Sequence, residues 1–133
     1  MKAALVTARV LFGLPLFGFG LMGLIVVRPD PAAFLNQPDG FSPEGTKLML
    51  ALWESGFLML SVCLAHIVSG GLVLVGRFVP LALVLHLPIS VLMVLFHLVL
   101  DPRSGGGAYL ILPLNLFLLY VHRASFRPLL TPK

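Results

Sequence analysis

Charge is the first thing this sequence lacks. Lysine, arginine, aspartate and glutamate make up 11% of its 133 residues, against roughly 25% in an ordinary soluble domain. A soluble fold is thereby excluded. A chain this small has too much surface per volume to hide the 59% of residues that are hydrophobic. Cysteine is almost absent as well. The single Cys63 has no intramolecular disulfide partner, and inside an apolar run it reads as a small core residue. Chemistry-bearing motifs are also missing: there is no nucleophile elbow, metalloprotease His pair or Cys pair. The Gly105–Gly107 run precedes no phosphate-loop Lys-Ser pattern and reads as a linker. A chain without such motifs, and too short for a separate active domain, is expected to have no catalytic activity alone.

What is present comes in long apolar blocks. A helix needs about 20 residues to cross the ~30 Å hydrocarbon layer. Spans are expected at about 3–27, 47–75, 79–100 and 108–122, the last being short for a crossing. The first block is longer than the ~7–15-residue core of a signal peptide and reads as a retained helix. Residues 28–46 are rich in Pro, Gly, Asn and Asp and form the longest loop, and Asp101 to Gly107 form a flexible one. Short connections make the later spans antiparallel neighbours. The expected fold is all-α, a four-transmembrane-helix up-down bundle in one domain, residues 1–133. Gly13, Gly18, Gly20 and Gly23 in the first span, and Ser61, Ala65 and Ser69 in the second, are expected to pack helices together. Pro15, Pro88 and Pro113 are expected to kink theirs.

The basic residues flank the spans, so they report topology and not nucleic-acid binding. Lys2, Arg9, Arg77, Arg123, Arg127 and Lys133 fall on one side; Arg28, Lys47 and Arg103 fall on the other. The Lys/Arg excess belongs in the cytoplasm. Both termini are therefore expected in the cytoplasm, in a multi-pass protein of a bacterial inner membrane.

The polar residues inside the spans are the candidates for function, because an ionisable group there is costly and usually faces the bundle interior. Glu54 lies seven residues before Ser61 and eleven before Ala65, which puts it on the small-residue face of a continuous second helix. His86, Ser90, Met93 and His97 form one stripe on the third. Matching depths in antiparallel helices pairs Glu54 with His97 in an outer layer and His66 with His86 in an inner one. Asn115 reaches in from the fourth span. Three readings stay open. The groups lock helix register by bonding one another; or they form a ligand-binding, proton-active site for a quinone or other lipophilic molecule; or His66 and His86 are a haem pair, the weakest of the three, histidine being a usual axial ligand. No metal site is expected, since structural zinc wants four closely spaced ligands.

The stretch 70–83, Gly-Gly-Leu-Val-Leu-Val-Gly-Arg-Phe-Val-Pro-Leu-Ala-Leu, resembles the DoxX family. So do Pro88, Phe96-His97-Leu98 and Leu100-Asp101-Pro102, the opening Arg9-Val10-Leu11-Phe12-Gly13 and Phe19-Gly20-Leu21, and Trp53-Glu54-Ser55-Gly56-Phe57. The resemblance covers about residues 9–123. It implies a four-helix bacterial membrane protein associated with membrane redox systems, such as a thiosulfate-to-quinone oxidoreductase subunit or a partner of thiol-oxidative-stress proteins. Three polar family positions differ: Met22-Gly23 stand for Asn-Lys, His66 for Glu and Leu92 for Asn. Only His97 is carried over. The leading expectation is a non-catalytic accessory or membrane subunit of a redox or envelope complex. The alternative is a quinone- or lipophilic-ligand-binding oxidoreductase subunit centred on Glu54, His66, His86 and His97. The expected partners are the lipid bilayer and other membrane or redox proteins, and a homo-oligomer is compatible with the pattern.

Overall fold

The apolar blocks become helices because a backbone surrounded by lipid must satisfy its own N–H and C=O groups. The computed structural model describes residues 2–126. Helix α1 (Lys2–Met22) runs on into a π-helical turn, Gly23–Val27. Two short helices follow, α2 (Pro31–Leu35) and α3 (Pro43–Glu54). Helices α4 (Leu58–Val75), α5 (Val79–Val99) and α6 (Gly106–Val121) complete the bundle. The first apolar stretch, α4 and α5 are each long and apolar enough to cross a membrane, and α6 is a shorter apolar helix. The described residues contain no strand. Arg127 and Lys133, counted above for orientation, lie outside the described residues.

Burial is distributed as in a lipid-facing protein. Val6, Leu14, Leu64, Leu85, Leu92 and Leu95 point outward, whereas His66, Ser69, His86, Ser90 and Asn115 are buried. A water-soluble fold reverses that preference. The apolar core is built from Phe12, Leu16, Val73, Leu83, Ile111 and Leu118.

Glycines make the tightest seam. Along α1 and α4 the contacts run in opposite directions: Gly13 meets Gly70 and Leu74, and Gly20 meets Cys63 and Ile67. The two helices are therefore antiparallel and nearly touch at the backbone, as small residues permit. Gly18 differs from its neighbours, with no atom within 4 Å of where its Cβ would stand. Pro15, Pro88 and Pro113 lie within continuous helices.

The turn from α4 to α5 is held by a residue from α1. Gly76 ends α4 at φ 79°, a left-handed conformation that glycine adopts without strain. Arg9 donates from Nε to the Val73 carbonyl at 2.9 Å and from Nη2 to the Leu74 carbonyl at 3.1 Å. A cation at the negative end of α4 is favourable. Phe78 takes φ 53° and Pro80 occupies the first turn of α5. The start of α1, this turn and the end of α6 thus lie at one end of the bundle.

The expected second span, 47–75, is not one helix. It breaks at Ser55–Phe57, with Gly56 at φ 78°. The Ser55 hydroxyl donates to the Leu52 carbonyl at 2.6 Å and accepts the Leu58 N–H at 3.0 Å, bridging the two pieces. Helix α3 becomes a separate element across the other end of the bundle. Its Gly45 sits against Phe96 of α5, and Trp53 reaches Gly23 beyond α1. Ser42 caps α3 by accepting the Gly45 N–H, with Pro43 at the first helical position.

Candidate functional site

Three helices deliver buried polar side chains to one place. His66 and Ser69 are one turn apart on α4; His86 and Ser90 are one turn apart on α5; Asn115 lies on α6. His86, Ser90 and Asn115 are wholly buried. Asn115 donates from Nδ2 to Ser90 Oγ at 3.0 Å, and Ser90 Oγ lies 2.8 Å from His86 Nδ1. The arrangement that uses each group once runs in one direction. Asn115 donates to Ser90, and the Ser90 proton goes to His86 Nδ1, which leaves the His86 N–H on Nε2. His66 Nδ1 donates to the Val62 carbonyl at 2.8 Å, since a carbonyl can only accept. Its Nε2 then carries the lone pair.

The two imidazoles meet edge to face, with centroids 4.9 Å apart, and the Phe12 ring packs 5.6 Å from His86 on another side. Rings in direct contact leave no width for a porphyrin between them, which argues against the haem-pair reading. Among the described residues no three His, Cys, Asp or Glu groups gather as metal ligands. His86 Nε2, Asn115 Oδ1 and Ser69 Oγ are buried without a hydrogen-bond partner. The layer can therefore hold helix register through its internal bonds, and it keeps donor and acceptor capacity in reserve.

A second polar cluster sits where α5 ends. Asp101, 2% exposed, accepts the Ser42 N–H at 3.1 Å and a hydrogen bond from the Ser104 hydroxyl. The Ser42 hydroxyl donates to the Leu100 carbonyl. His97 Nδ1 lies 3.8 Å from Asp101 Oδ2 and 3.3 Å from Ser104 Oγ. The Ser104 hydrogen bond, then the Ser42 N–H, hold the Asp101 carboxyl below the usual carboxylate range; burial acts in the opposite direction. This cluster fastens the segment before α3 to the α5–α6 connection. Phe96 and Tyr109 meet the His97 ring edge to face, and Phe41 lies tilted against it.

The structure thus brings His66, His86, Ser90 and Asn115 together. Met93 and His97 lie further along the same stripe, half-buried. It does not bring Glu54 to His97. Glu54 is the last residue of α3 and is exposed, because the break at Gly56 cancels the helical phase that related it to Ser61 and Ala65. Ser61 is exposed too, and its hydroxyl returns to the Phe57 carbonyl at 2.9 Å. His97 turns to Asp101 and Ser104 instead. From the sequence Asp101 reads as a loop residue within the DoxX-like stretch, and Ser42 and Ser104 have no assigned role. The legible signals were Ser42-Pro43, a helix start, and Asp101-Pro102 followed by Ser104, a side-chain-stabilised turn. No protein-family model, curated protein or solved structure matches this chain. What the fold and composition support is a small all-helical protein with three long apolar helices and a shorter one, seated in a lipid bilayer, with no family identified.

Proposed function

We propose that this chain is a non-catalytic membrane subunit or accessory, which lends a rigid bundle to a larger assembly in a bacterial cytoplasmic membrane. One observation carries the reading: His86, Ser90 and Asn115, all wholly buried, bond one another across α5 and α6. Polar groups that bond one another in this way set helix register, and an interhelical bond such as that from Asn115 to Ser90 is worth about 0.6–2 kcal/mol. The association with a redox or envelope complex rests on the DoxX resemblance in the sequence. The cytoplasmic placement of both termini rests on the Lys/Arg distribution. The helix directions support it, because α1 starts and α6 ends at the same end of the bundle.

The test is an assay of the purified protein alone. Offered a short-chain quinone and a chemical reductant, it is expected to add nothing to the rate without protein. Quinone turnover that vanishes in His86→Phe would overturn the reading. Such a result would promote the second reading, a site for a quinone or similar lipophilic molecule. That reading is favoured by the unpartnered His86 Nε2 and Asn115 Oδ1, a donor and an acceptor suited to a carbonyl and a hydroxyl.

A further inference from the structure

The ground between α2 and α3 is a shallow hollow, open to its surroundings, and it has two halves. One, about 450 Å³, is bordered by Lys47 and Thr46. The other, about 290 Å³, is bordered by Asp39. Leu35, Gln37 and Phe41 line both, so the halves adjoin over an apolar floor. Lys47 and Asp39 are exposed, and neither takes part in an ion pair among the described residues.

The position of the hollow sets what can reach it. Ser42, just ahead of α3, bonds to Leu100 and Asp101 at the end of α5. Helix α5 has 21 residues, a length of about 31 Å, which matches the ~30 Å hydrocarbon layer. The hollow therefore lies at the level of lipid head groups. Its charge narrows the class further. Arg28 and Lys47 are set against Asp30, Asp39 and Glu44 in this segment, so it is not net basic. That balance disfavours a purely anionic head group and suits one with both charges.

We propose that this hollow binds the head group of phosphatidylethanolamine, with the phosphate toward Lys47 and Thr46, the primary ammonium toward Asp39, and the two-carbon ethanolamine link between them over Leu35 and Phe41. A primary ammonium offers three hydrogen-bond donors to a carboxylate, and a trimethylated one offers none.

Native mass spectrometry of the full chain in detergent tests this with phosphatidylethanolamine, phosphatidylcholine and phosphatidylglycerol of identical acyl chains. Phosphatidylethanolamine should be retained about threefold better than either, the scale of an exposed charge pair. Asp39→Asn should remove its advantage over phosphatidylglycerol, and Lys47→Gln should weaken both. Both side chains are exposed, so unchanged helicity in each variant is the check on folding. Equal retention of the three lipids would overturn the proposal. So would phosphatidylglycerol binding best, or either variant behaving as the wild type.

Discussion

Replacing Gly70 by alanine tests the glycine seam most directly. The added Cβ would stand 2.7 Å from both the Gly13 carbonyl oxygen and the Phe17 nitrogen. Both are backbone atoms of α1, so no rotamer change relieves the clash. Ordinary contact begins at 3.4 Å. The helices must therefore part by roughly 0.7 Å locally, and a gap of that order forfeits a quarter to a half of the dispersion well for the atoms that separate. Overpacking of this kind costs about 1–3 kcal/mol. Alanine recovers at most about 1 kcal/mol through its better helix propensity. With that gain the expected net loss is up to about 2 kcal/mol against wild type, and about 1–3 kcal/mol against a variant that has the gain without the clash. Gly18→Ala is the matched control, since nothing lies within 4 Å of its Cβ position and the same propensity gain applies. The assay is reversible unfolding of both variants in mixed micelles titrated with a denaturing detergent. Gly70→Ala should unfold earlier than wild type, and Gly18→Ala at or beyond it. Equal midpoints for the two variants would refute the close-approach argument.

Two further predictions concern the polar groups. Ser90→Ala strands Asn115 Nδ2 and His86 Nδ1 in a buried site and should destabilise by about 1–3 kcal/mol. The Ser90→Ala/Asn115→Leu double variant should recover part of that loss in the same titration, and additive losses would contradict the shared network. The Asp101 carboxyl titrates below its ordinary value, so its stabilising contribution is complete above the unfolded value of about 3.9. It is lost as pH falls through the lower folded value. The unfolding midpoints of wild type and Asp101→Asn should therefore differ most near neutrality and converge in acid, and a constant gap down to about pH 3 would refute this assignment.

Much of the site was legible because helix geometry is local. The four-residue step from His86 to Ser90 puts both on one face wherever α5 lies. The short connection from α4 to α5 makes those helices antiparallel neighbours and brings His66 opposite His86. Glu54 was misplaced for a related reason. Its phase relative to Ser61 holds only if the helix continues, and Ser55-Gly56 is a pair that turns often use. The hydrophobicity of the flanking residues masked that signal.

The sequence by itself determined that the chain suits a lipid bilayer and that its apolar blocks form helices; it pointed to four spans, where the structure has three helices long enough to cross and a shorter one. Both conclusions follow from apolar block length against bilayer thickness, which is a one-dimensional match. Tertiary structure alone decided which small residues matter. Gly18 and Gly20 are two positions apart and alike in sequence, yet only Gly20 lies against α4. It also decided that Asp101 is buried under Ser42, 59 residues away, and that Arg9 closes the end of a helix 64 residues further on. Such pairings depend on how helices rotate and cross. In lipid those choices are set by backbone approach and hydrogen bonding between helices, and hydropathy records neither.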